Sequence, residues 1–150
     1  MIKKIIFLSI LALIFSFTTV GLAQNPGFSS LTAEKLEDFK KEPPLSQSDI
    51  DAFIKIMPAM AKYKGKDFSA ITPEERKTIE ETVSKVGLSD VRSILIFNKI
   101  SLGMLALGGT PVEMFGDMEI PEPLIPTESD VELLKKNQSA LDKLFMQYGG

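Results

Sequence analysis

Four methionines in two pairs are the residues of this chain whose type and spacing suit a specific chemistry. Met57 and Met60 are three residues apart and Met114 and Met118 four apart, so on a helix each pair sets two thioethers about one turn from each other. Thioether sulfur is a soft ligand suited to Cu(I). Methionine is also the adaptable filler of hydrophobic cores. The chain has no histidine to support either pair as a metal site. Core packing is therefore the expectation for Met57 and Met60, and a loop moulded onto helices for Met114, Phe115 and Met118.

Other reactive chemistry is narrowed by what is missing. With neither histidine nor cysteine there is no Ser-His pair, no thiol nucleophile and no imidazole base. A zinc site of the usual His/Cys kind is also excluded. Glu74, Glu75, Glu80 and Glu81 cluster in sequence, but helical spacing spreads them over two faces. The first two suit the positive end of a helix, and Glu81 suits an i,i+4 pair with Lys85. Ser93 or Ser101 with Lys99 matches no recognised nucleophile arrangement. The expectation is a chain with no catalytic residue, no resident metal and no cofactor.

The stretch that must organise everything else is 89–109, SDVRSILIFNKISLGMLALGG. Its apolar residues occupy most of the helix circumference, which marks a helix that other helices surround. Asn98, Lys99 and Ser101 interrupt it well short of the ~20 apolar residues of a membrane span. Arg92 and Lys99, seven apart, share one narrow stripe. Arg92 is expected to bridge to an acid of a neighbouring helix. Asn98, set among apolar residues, needs a partner if buried, either in fixing helix register or on the backbone of a nearby loop.

Around that helix the local signals are helical. Residues 31–41 form a short pattern with Leu36 and Phe39 on its apolar side and a Glu37–Lys41 pair outside. Pro43 and Pro44 stop it. Ser46 with Asp49 makes a capping box, and Leu45 with Ile50 the hydrophobic staple of a second helix. Pro58 falls inside that helix's apolar stripe, so a kink near Met57 is expected rather than a division, because the stripe continues past the proline. Thr72-Pro73-Glu74-Glu75 is the strongest start signal, with cap, N1 proline and capping box together. Gly87 ends that helix just before Ser89 opens the central one. Residues 110–126, with four prolines, read as an extended loop whose many apolar residues lie across the helices. Thr127 and Asp130 cap a last helix carrying Val131, Leu134, Leu141, Phe145 and Tyr148.

The first residues read as an address. Lys3 and Lys4, the apolar run 5–17 and Gly21-Leu22-Ala23 have the order of a secretory signal peptide, with cleavage expected after Ala23. An uncleaved anchor is the competing reading. Residues 24–30 should be a flexible N-terminus and 31–150 a single domain. Removal of the signal takes away two lysines and no acid, so the mature chain is more acidic than the overall net charge of −3. That balance argues against nucleic acid and anionic membrane surfaces as main partners.

Together these features predict an all-α domain of four main helices plus a short N-terminal one around a buried helix at about 90–107. They predict an exported, non-enzymatic bacterial protein of the periplasm or the secreted set. It is expected to have no stable membrane span after signal cleavage and to bind a partner protein of the envelope. The alternative is a carrier of a small apolar ligand or Cu(I), held between the Pro58 bend, the 110–126 loop and the central helix. Contacts in either case are expected from Met57, Met60, Met114, Phe115 and Met118.

Overall fold

The computed structural model describes residues 33–63, 72–117 and 120–148. The proposed signal segment, the 24–30 stretch and Met118 lie outside them. Regular structure among the described residues is entirely helical. In chain order it comprises α1 (Ala33–Lys40), α2 (Gln47–Met60) with a 3-10 turn at Ala61–Tyr63, α3 (Pro73–Lys85) and α4 (Asp90–Leu107). There follow α5 (Glu113–Asp117), a 3-10 turn at Glu122–Leu124, α6 (Glu128–Lys136) and α7 (Gln138–Tyr148). No described helix is long and apolar enough to cross a membrane.

The helix starts form where the sequence signals them. Thr72 Oγ1 accepts from Glu75 N–H at 3.2 Å, and Thr72 N–H donates to the Glu75 carboxylate at 3.0 Å. Thr127 and Asp130 make the same reciprocal pair at 3.3 and 2.8 Å. Each box satisfies donors that a helix start would otherwise leave unpaired. Between α3 and α4, Gly87 adopts φ +80°, a left-handed conformation that glycine reaches without strain. Leu88 N–H then returns to Val83 O at 3.4 Å, and Ser89 Oγ caps α4 by accepting from Arg92 N–H at 3.1 Å.

Helix α4 is apolar nearly all round because it divides two cores. Its Ile96, Phe97 and Ile100 face a larger core built with α2, α3, α6 and α7. Phe53 of α2 meets Phe97 edge-on at 5.1 Å and Phe145 of α7 at 5.9 Å, geometries that aromatic pairs favour. On the opposite side Ile94, Leu95, Leu102 and Leu105 face a smaller core closed by Phe39, Phe115, Ile120 and Leu124. At Gly103, α4 approaches α6 so closely that a Cβ would overlap Leu134 Cδ1.

Four local expectations change. The 110–126 segment does lie across the core, burying Phe115, Ile120 and Leu124, but it is not a plain loop. Pro111 O accepts from Met114 N–H, and one turn of helix forms because burying Phe115 requires the backbone to close its own bonds. The last helix is two. Asn137 Nδ2 donates to Leu133 O at 2.9 Å and to Gln47 Oε1 of α2 at 3.0 Å, so this side chain competes for helix carbonyls and breaks the run.

By contrast, helix α2 continues through Pro58 without dividing, as its continuing stripe leads one to expect. Pro58 is exposed, so the carbonyl deprived of its donor is on the side that water can reach. The surface pairs of α1 are Lys40–Glu37 at 2.7 Å and Lys41–Asp38 at 3.3 Å, one residue closer in sequence than the expected Glu37–Lys41. Glu81 and Lys85 of α3, both exposed, are not among the described ion pairs.

Replacing Gly103 with valine puts a branched side chain where the Leu134 methyl sits, so buried Leu134 must leave its packed position. The variant Gly103→Val is expected to lose about 1–3 kcal/mol of stability while keeping its helical circular dichroism, measured by urea denaturation.

Candidate functional site

Arg92 and Lys99 lie two turns apart on α4, and neither points into solvent. Arg92 reaches the connection between α1 and α2, where Pro43 and Pro44 prevent helix and leave carbonyls without partners, and Lys99 is linked to it through Asp130. The Arg92 guanidinium donates through Nη1 to Pro43 O at 2.6 Å and through Nη2 to Pro44 O at 3.0 Å. It also bonds both oxygens of Asp49, Nε to Oδ1 at 3.2 Å and Nη2 to Oδ2, and reaches Glu42 Oε2 at 3.3 Å. A planar fork of donors suits such a cluster better than an ammonium would.

Lys99 is 6% exposed and Asp130 0%. Lys99 Nζ donates to Asp130 Oδ2 at 2.7 Å. The same carboxylate accepts Leu45 N–H at 2.7 Å and Thr127 N–H at 2.8 Å. Asp130 therefore joins α4, α6 and the start of α2 through one side chain. Burial pushes the Asp130 carboxyl up, but the bonds from Lys99, Thr127 and Leu45 prevail and hold it below the usual carboxylate range. Burial likewise raises Asp49, and the bonds from Arg92 and Ser46 outweigh it, so this carboxyl is also lowered.

Beside this pair opens a groove of about 410 Å³, lined by Phe39, Lys40 and Glu42 on one side and Glu122, Pro123, Ile125, Pro126 and Thr127 on the other, with Lys99 also contributing. Its walls combine an aromatic ring, an aliphatic side chain and two prolines with charges of both signs. Lys99 is engaged with Asp130, and among the described residues no group of three or more acids is placed to hold a metal ion.

The residues singled out by type do not gather here. Met57 and Met60, 0% and 1% exposed, are in the larger core, and Phe115, 0% exposed, is in the smaller one. Helix α4 stands between them. Met114 is 48% exposed, and Met118 lies outside the described residues. Ser101 and Ser93 are separated from Lys99 by about 160° and 120° around α4 at ~100° per residue, so neither forms a dyad with it.

Asn98 is fully buried on the smaller-core face. Its Nδ2 donates to Ile94 O of its own helix at 2.8 Å, not to the loop, and its Oδ1 has no partner among the described residues. What the sequence marks less clearly is the groove and the Lys99–Asp130 pair. Asp130 is legible only as a cap and Lys99 only as a polar break, and the seven-residue spacing of Arg92 and Lys99 was the available signal.

No family model, curated protein or solved structure matches the chain.

Breaking one side of the buried pair tests it. Asp130→Asn leaves the Lys99 ammonium without its counter-charge and is expected to cost about 3–5 kcal/mol. Lys99→Met should cost less, since the carboxylate keeps its two backbone donors. Because both carboxyls are lowered in the folded state, their stabilisation is complete above the usual aspartate value of 3.8. It is lost as pH falls through the lower folded-state values. Urea denaturation of each variant, and of the wild type from pH 7 to 2, checks both statements.

Proposed function

We propose that this chain is an exported, non-enzymatic bacterial protein that works by binding a partner protein in the periplasm or envelope. Export rests on the order of residues 1–23, basic then apolar then small, the pattern a signal peptidase reads. Binding rests on the groove between α1 and the 122–127 segment. Half-buried Ile125 and Pro123 offer a small apolar centre over buried Phe39 and Pro126, and exposed Lys40 and Glu122 edge it with charge. An apolar centre with a polar rim is the usual make-up of protein interfaces. Prolines hold such a wall in shape, so less ordering entropy is lost on binding.

This reading moves the contact surface away from most of the methionine set. Met57, Met60 and Phe115 are enclosed, and Met114 is the exposed member among the described residues. The carrier reading needs those enclosed side chains to face a ligand, and no observation favours it.

Two measurements test the proposal. Intact mass of the protein recovered from its own cells is expected to correspond to a chain beginning at Gln24. A full-length mass would remove the export reading in its cleaved form. Photo-crosslinking residues substituted at Lys40 and Pro123 are expected to yield one defined protein adduct in living cells that the same probe at exposed Lys143 of α7 does not. No adduct, or the same adducts from all three positions, would defeat the groove as the interface. A lipid or copper ion retained in a native mass spectrum would replace the partner reading with the carrier one.

A further inference from the structure

Residues 42–46, which join α1 to α2, are tethered by polar contacts at every position. Glu42 carboxylate, Pro43 O and Pro44 O all bind the Arg92 guanidinium. Leu45 N–H binds Asp130 and Ser46 N–H binds Asp49, each at 2.7 Å. Two of these tethers end on the carboxylates of Asp130 and Asp49, and three end on the Arg92 guanidinium, which Asp49 holds in place with two bonds.

Among the side chains that the structure describes, the apolar hold on α1 is slight by comparison. Phe39 is buried and Leu36 half-buried, and eight residues are too few for a helix to persist unsupported. The rest of the molecule depends less on the tethers. Helix α2 buries seven residues, and α6 is fastened through fully buried Leu134 against Gly103.

We propose that α1 and the 42–46 connection form an acid-released cover: protonation of Asp49 and Asp130 frees this segment from α4 while α2–α7 stay folded. Release withdraws Phe39, which both closes the smaller core and walls the groove, so the two become one open apolar cleft. This goes beyond the partner-binding reading and does not depend on it.

The surrounding charges act in the same direction. From α4, Arg92 and Lys99 face the two carboxylates; from the connection, Glu42 shares Arg92. From α1, Lys40 is held by Glu37 and drawn by Glu122 of the 3-10 turn. Protonating these acids as well leaves Lys40, Arg92 and Lys99 as like charges across the α1–α4 contact. Both aspartates are lowered in the folded state, so the cover is held above the usual carboxylate range and released below it.

Hydrogen exchange with mass spectrometry, corrected for intrinsic rates at each pH, tests the device on the wild-type chain from pH 7 to pH 2. Peptides spanning 33–46 are expected to lose protection by about tenfold or more at a pH where peptides from α2, α4 and α7 retain theirs. The double variant Asp49→Asn, Asp130→Asn should show the same local loss at pH 7. Simultaneous loss across all helices in the wild type would make the transition ordinary global acid unfolding and overturn the proposal. So would a 33–46 segment still protected at pH 2, or one already unprotected at pH 7. If the double variant does not fold, the wild-type series decides.

Discussion

Two positive charges on an otherwise apolar helix constrain the whole molecule. A cation held away from water without a counter-charge is costly. Arg92 and Lys99 must therefore each meet an acid, and α2 and α6, lying alongside α4, supply Asp49 and Asp130. Asp49 and Asp130 perform this while also completing the helix-start boxes of α2 and α6. The two acids thus satisfy the backbone at two helix starts and the charges of a third helix together. Pro43 and Pro44 fit this scheme because their carbonyls, having no helical donors, complete the guanidinium's set.

With that stripe occupied, the remaining circumference of α4 is left for apolar contact, and it is used on both sides. The larger core engages long helices and two aromatic contacts of Phe53, with Phe97 and Phe145. The smaller core is closed by shorter pieces, an eight-residue helix, a five-residue helix and a 3-10 turn. Unequal cover of two faces on one helix gives regions of unequal local stability, since protection follows the number of buried apolar groups an element contributes. The groove lies at the less heavily covered side, where Phe39 and Ile125 border both groove and core. Asn98 belongs to that side as well. Its unpartnered Oδ1 is a local departure from the rule that buried polar groups are paired, and the packing gives no physical account of it.

The site was less legible than the fold because residue type is a poor guide to exposure for methionine and phenylalanine. Met57 and Phe115 are as suited to a ligand pocket as to a core, and neighbours far along the chain decided for core. Lys99 shows the converse. Taken alone it breaks an apolar run, and only its distance to Asp130, 31 residues away, turns it from a surface charge into an interior one. The groove has no sequence signal at all, since its walls come from residues 39–42 and 122–127, which nothing in the local pattern relates.

The sequence by itself determined the helical class, the central position of 90–107 and the starts of α3, α4 and α6. Those follow from hydrophobic period, capping residues and turn glycines, which are interactions within a few residues of chain. The tertiary structure alone decided that α4 divides two cores, that Asn137 splits the last helix by reaching Gln47, and that residues 113–117 form a turn of helix. It also decided which acid each cation meets. These outcomes depend on contacts between segments up to 90 residues apart, and close packing selects among such contacts by shape and charge that no local pattern encodes.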